Sequence, residues 1–127
     1  MSSVNKVFLL GRVGTEPELK YMASGDAVLN FTLATSDKWK DKTTGEMREL
    51  VEWHNVVVYR RLAEIIAKMV KKGSKVYIEG KNKTRKWQKN DVTHYKTEVE
   101  AVEILVLDKK TGEVAQSASS SDDDLPF

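Results

Sequence analysis

The sequence predicts an all-β domain, a barrel of five strands with one α-helix between strands three and four, followed by a disordered C-terminal tail. Three observations carry this prediction. Apolar and polar residues alternate with the period of half-buried strands through most of the stretch from residue 27 to residue 107. One segment only, residues 62–70, changes to helical spacing. Past residue 107 no period survives, and residues 116–121 are small and polar. At 127 residues the chain has the size of one domain, too short for two cores and a linker.

Residues 4–13 are apolar with Lys6 and Arg12 interspersed and run into Gly14, which makes a first strand that Gly11 bends or bulges. Residues 21–26 read as a turn, punctuated by Ser24, Gly25 and Asp26. From Ala27, Leu29, Phe31 and Leu33 fall on one face and Asn30 and Thr32 on the other, a second strand. Residues 37–45 are polar and lysine-rich and read as a hairpin loop holding Trp39. Residues 49–59 are dense in Val, and Trp53, Val57 and Tyr59 share a face because their numbers share parity.

Leu62, Ile65, Ile66, Met69 and Val70 form one stripe of an amphipathic helix. Lys71 and Lys72 suit its negative end, and Gly73 suits the left-handed residue that stops it. Residues 75–89 resume alternation, with Val76, Ile78 and Gly80 pointing one way and Tyr77, Glu79, Lys81, Lys83, Arg85 and Trp87 the other. Asn90 and Asp91 turn the chain into a last strand over residues 95–107. There Tyr95, Thr97, Val99 and Ala101 set one parity while Val102, Ile104 and Val106 set the other, which predicts a bulge near Ala101. This order of elements is that of the OB barrel, whose second and third strands and neighbouring loops bind oligonucleotides. A split barrel of another topology satisfies the same pattern.

Composition narrows the function. Hydrophobic residues make up 40% and charged residues 31%, the balance of a globular chain with a strongly charged surface. Gly11 and Arg12 interrupt the early apolar run 7–10, and no later run approaches the length of a spanning helix, so neither a leader nor a membrane partner is expected. With no Cys, and with His54 and His94 distant in sequence, no metal or cofactor is expected. The net charge of +2 conceals a segregation: residues 60–89 hold eleven Lys or Arg against Glu64 and Glu79. So dense a basic stretch points to a polyanion.

Trp39 is flanked by Lys38 and Lys40, with Lys42 close behind, and Trp87 follows Lys83, Thr84, Arg85 and Lys86. Aromatics interleaved with cations fit a single-stranded nucleic acid site, where bases stack on rings and the cations take phosphates. Each stacked base contributes about 1–3 kcal/mol and is read without regard to sequence. The structural alternative is that these rings cap the open ends of the barrel. Trp53 and Tyr59, in an apolar strand, suit a core role equally well. Lys81, Lys83 and Arg85 share the face of Trp87, which favours binding over a merely solvated edge strand. Lys68, Lys71 and Lys72 on the helix read as solubility charges, and His54, opposite in parity to Trp53, as a packed or interface histidine. Phosphate-loop, dinucleotide, zinc-protease and serine-elbow motifs are all missing from the chain. Glu79-Gly80-Lys81 imitates a nuclease tripeptide, but no carboxylate pair can be singled out beside it, and the chain is not expected to be an enzyme.

These residues, taken in order, resemble the bacterial-type single-stranded DNA-binding proteins. The resemblance rests on Val4-Asn5-Lys6-Val7, Leu33-Ala34-Thr35-Ser36, Lys42-Thr43-Thr44-Gly45-Glu46-Met47, Glu52-Trp53-His54 and Leu62-Ala63-Glu64. It continues through residues 72–80 and Thr84-Arg85-Lys86-Trp87, covering about residues 4–107. The acidic ending Asp122-Asp123-Asp124-Leu125-Pro126-Phe127 is similar to the family's tip. The resemblance implies a cytoplasmic, nucleoid-associated homotetramer that wraps single-stranded DNA in replication, recombination and repair. It divides the chain into a binding domain (1–107), a flexible linker (108–121) and a tip (122–127) that recruits replication, recombination and repair proteins. Base stacking then falls to Trp39, Trp53, Tyr59 and Trp87, with Tyr59 at a position that is commonly Phe. The phosphate contacts are assigned to Lys38, Lys40, Lys42, Lys81, Lys83, Arg85 and Lys86, and the subunit contacts to Asn5, His54 and Tyr77. The linker is shorter than many in the family, which bears on cooperative clustering along DNA. Two rival readings are an RNA-binding OB module of the cold-shock kind and a protein adaptor that works through its tip alone.

Overall fold

Alternation resolves into strands β1 (Val7–Val13), β2 (Glu18–Tyr21), β3 (Ala27–Lys40) and β4 (Met47–Tyr59), helix α1 (Arg60–Ala67), and strands β5 (Lys75–Lys89) and β6 (Val92–Val106). The structure, a computed structural model, describes residues 2–108. The sheet order is β1-β5-β6-β4-β3-β2, and β1 also pairs with β3 through Arg12↔Ala34 and Val13↔Leu33. That extra pairing closes five strands into a barrel and leaves short β2 outside, along β3. β4 and β6 run parallel at Val56↔Val99 and Val57↔Glu100, while the other pairings are antiparallel. The result is an OB barrel with its helix between the third and fourth barrel strands, as the sequence predicts.

Leu29, Leu33, Val56, Val58, Val76 and Ile78 are fully buried inside the barrel. Each such side chain contributes about 1.5–3 kcal/mol by leaving water. Ala63 and Ile66 of α1, with Val70 just beyond it, join the same core. Here the helical stripe departs from expectation: Ile65 and Met69 are exposed, and Ala63 is the residue turned inward. Ala63 and Ile66 make the inward face of α1, so Ile65, one position off that face, points to water.

Three further differences have a common cause. β2, of which the sequence reading places only Tyr21, in a turn, pairs with β3 from Glu18↔Asn30 to Tyr21↔Ala27 although its four residues are all exposed. β3 runs on to Lys40 and β4 begins at Met47, so Lys38, Trp39 and Lys40 lie on a strand rather than in the expected loop. β6 begins at Val92 instead of residue 95. In each case the added strand has water on both faces, so no hydrophobic period marks it. The tip of the β3–β4 hairpin is organised by Asp41, whose Oδ1 accepts the Thr43 and Thr44 amides at 2.8 and 3.4 Å. Arg48 Nε meets its Oδ2 at 2.8 Å.

Several local expectations hold. Glu79 pairs with Glu103 but Gly80 with Ala101, which leaves Val102 as the extra residue of the predicted bulge. Asn90 and Asp91 adopt φ of 53° and 64°, a two-residue turn that matches the twist of the β5–β6 hairpin. Gly73 has the expected positive φ, 94°, but it does not end the helix: α1 stops at Ala67 with Lys68 as its C-cap, and Lys71, Lys72 and Gly73 belong to a separate turn closed by the Ser74 amide on the Lys71 carbonyl. At the end of β6, the Asp108 carboxylate accepts the Lys75 amide at 2.9 Å. Apart from Asp108, the predicted linker and the tip 122–127 lie outside the described residues.

Candidate nucleic-acid interface

The β3–β4 register sets Val28 beside Tyr59, Asn30 beside Val57, Thr32 beside Asn55 and Ala34 beside Trp53. These residues form the outer face of the barrel wall. The β5–β6 arm meets this face, so that Asn30, Val57, Tyr59, Arg85 and Glu98 line one hollow together with Lys20 and Tyr21 of β2. An adjoining hollow continues past Thr32 and Asn55 to Lys96. Together they form an open groove with an apolar floor at Val57 and polar walls.

Tyr59 stands half-buried in that floor. Trp53, 59% exposed, lies against the backbone of Gly14, where any Cβ would collide with the ring's Cζ3. Gly14 therefore makes the seat of the indole. Trp87 is on the arm face that carries Arg85, whose guanidinium carbon is 6.0 Å from the ring centroid. It also stacks on His94, with centroids 5.5 Å apart and planes inclined by 20°. Trp39 is exposed but pairs with Arg48 in the parity of Leu33. By register it occupies the opposite face of the β3–β4 ribbon from Trp53. The groove side thus holds three of the four expected aromatics, and a strand touching all four has to pass around the ribbon.

The cations divide into two groups. Arg85 grips Glu98 through Nε at 3.0 Å and Nη2 at 3.4 Å, and Lys96 approaches the same carboxylate at 3.8 Å. Glu98 is only 4% exposed, so this trio is a groove-wall feature with a net positive charge. Lys83 lies 3.6 Å from Glu100. The outer ends of these pairs are in water, where an ion pair contributes at most about 1 kcal/mol, weak enough for a phosphate to compete. Lys38, Lys40, Lys42, Lys81 and Lys86 are exposed, and among the described residues no carboxylate lies within 4.0 Å of their ammonium groups. Lys86 is on the back of the arm, 6.0 Å from the Tyr95 ring centroid.

The residues expected at subunit contacts occupy different surroundings. Asn5 forms two bonds with the backbone of Asn82, donating to its carbonyl at 2.8 Å and accepting its amide at 3.0 Å. His54 faces away from Trp53, as parity predicts, and is half-buried beside Leu33 with Nε2 3.0 Å from the Thr35 hydroxyl. Tyr77 lies on the outside of β5, between Leu10 of β1 and Leu105 of β6. Burial, helped by the neighbouring Glu79 carboxylate, raises the pKa of its phenol.

Sequence reasoning passed over Lys20, Asn55, His94, Lys96 and Glu98. For the three on β6 a signal was within reach, because counting outward from the Asn90-Asp91 turn sets His94 opposite Trp87, Lys96 opposite Arg85 and Glu98 opposite Lys83.

Comparison with known proteins agrees with this geometry. The profile of the single-strand binding protein family matches residues 4–107. A Plasmodium falciparum SSB in complex with ssDNA is similar over 85% of this chain and 98% of its own, with 39% identity and a TM-score of 0.76. A deletion mutant of the single-stranded DNA binding protein from Thermus aquaticus is 31% identical, with a TM-score of 0.73, over 84% of this chain and 52% of its own. Barrel topology, aromatic groove and family profile coincide on one stretch of sequence, and the chain belongs to the single-strand binding protein family.

Proposed function

We propose that this protein binds single-stranded DNA with little regard to sequence and shields it during replication, recombination and repair, without catalysing a reaction. The observation that carries the proposal is the groove that brings Trp53, Tyr59 and Trp87 to one side among cations, in a chain of the single-strand binding family. Ring faces and backbone charge recognise any exposed base, whereas paired bases offer no face to stack on. Tryptophan fluorescence titrated with oligo(dT), with matched duplex and with matched RNA tests the reading. Strong quenching by the DNA single strand alone is the expected result. Equal response to duplex overturns it, and preference for RNA assigns the groove to the rival RNA-binding role.

The working form is a homotetramer. Phe8, Leu10 and Leu105, each at least 45% exposed, surround Tyr77 on the outer face of the β1–β5–β6 sheet. An apolar patch at the middle of a sheet face suits isologous pairing between copies. The tip Asp122 to Phe127 recruits replication, recombination and repair proteins. Its apolar end, its three acids and its terminal carboxylate together match a basic, hydrophobic pocket. At low salt the acidic tip also competes with DNA for the basic groove. Removing residues 122–127 should abolish capture of those proteins from lysate while leaving DNA affinity intact or tighter.

A further inference from the structure

We propose that His94 is a DNA-contacting residue of this groove: with Trp87 it forms a two-ring stacking platform, and as an imidazolium it takes a backbone phosphate. The inference rests on the single-stranded DNA reading above and extends it to a side chain with no role there. The two-residue turn at Asn90 and Asp91 sets His94 directly across from Trp87, and the rings stack at 5.5 Å. His94 is half-buried by that contact. Among the described residues no hydrogen bond holds either of its ring nitrogens, whereas His54 is engaged by Thr35. A ring supported on one face and with its nitrogens open is suited to accept a ligand group at its edge.

The surroundings give the sign of the effect. The charged groups on the same face of the arm are Lys81, Lys83, Arg85 and Lys89 of β5 and Lys96 of β6, with Glu98 balancing Arg85 and Lys96 and Glu100 balancing Lys83. This basic face draws the DNA backbone toward the ring, and phosphates placed there favour the imidazolium over the neutral form. Binding therefore takes up a proton at His94, so affinity rises as pH falls across the range in which imidazole changes charge. The protonated ring also keeps its place on Trp87, because a cation is attracted to the indole face.

The test uses the full chain and a short oligothymidylate, since neither thymine nor a phosphodiester titrates in mildly acidic to mildly basic solution. Affinity and its salt dependence are measured at about pH 5.5 and about pH 8 for the wild type, His94→Gln and His94→Arg. In the wild type, affinity should rise severalfold in acid, and the slope of log K against log salt should steepen by about 0.7 per engaged subunit. His94→Gln should lose that difference, and His94→Arg should show the steep slope at both pH values. Any pH response of the acidic tip is common to all three proteins and cancels in the comparison. Without DNA, tryptophan emission of the wild type should fall in acid relative to His94→Gln, because the imidazolium quenches the stacked indole. A wild-type pH response equal to that of His94→Gln overturns this inference alone. Absence of oligothymidylate binding at both pH values overturns the DNA reading and this inference with it.

Discussion

Replacing Gly14 by Ala asks whether the position of the Trp53 ring, rather than its mere presence, sets affinity for DNA. A Cβ added at Gly14 overlaps Cζ3 of Trp53 and comes within 2.9 Å of the Thr32 hydroxyl and 3.1 Å of the ring's Cε3. The hydroxyl is itself held 3.4 Å from that of Thr15, so the indole is the group that yields. Being 59% exposed, it can swing outward without opening the core. The stability cost is then that of an off-rotamer side chain, about 0.5–1.5 kcal/mol. Binding loses one stacked base, about 1–3 kcal/mol, which corresponds to roughly 5- to 150-fold in affinity. Fluorescence titration with oligo(dT), with urea unfolding alongside, measures both quantities. A double-mutant cycle with Trp53→Ala isolates the coupling, since Gly14→Ala should cost almost nothing more once the ring is gone. Wild-type affinity in Gly14→Ala, or the same loss in both backgrounds, refutes the role of the seat.

Ile78→Ala empties a fully buried site at the centre of the barrel and should destabilise the fold by about 2–5 kcal/mol, seen as a lower urea midpoint with an unchanged slope. Leu10→Glu places a charge in the outer apolar patch and should split the proposed tetramer, and sedimentation showing an intact tetramer would reject that patch as the interface. Bonds from the Thr43 amide, the Arg48 side chain and the Thr44 amide hold the Asp41 carboxyl below its ordinary range. A depressed carboxyl contributes its stability above the unfolded-state value and loses it as pH falls through the folded one. Hydrogen exchange at Thr43 and Thr44, corrected for intrinsic rates, should therefore accelerate below about pH 4, and a flat profile would remove Asp41 as the organiser of the hairpin tip.

Legibility followed burial. Leu29, Leu33, Val76 and Ile78 announced their strands because an inward position tolerates little but apolar side chains, and the parity change at Ala101 announced the bulge for the same reason. The outer half of β3 and all of β2 carry no such mark, since their side chains are exposed and the backbone ladder does most of the holding. On α1 the difference is one of phase: the inward stripe runs through Ala63, Ile66 and Val70, so the apolar Ile65 and Met69, one position off it, face water. At the site, the clustering of Trp and Lys was visible, yet the face occupied by Trp39 and the carboxylate of Glu98 in the groove wall were not.

By itself the sequence determined the phase of each buried strand, the turn between β5 and β6, and the supply of rings and cations, since all of these depend on neighbours a few positions apart. Only the tertiary structure decided which faces meet. Closure through β1 against β3, and through the parallel pairing of β4 with β6, brought the arm carrying Arg85, Trp87 and His94 to the wall carrying Trp53 and Tyr59, and laid Trp53 on Gly14. The physical reason lies in the ladders themselves: backbone hydrogen bonds between strands are nearly indifferent to side-chain identity, so pairing across the barrel is selected by the packing of the whole core.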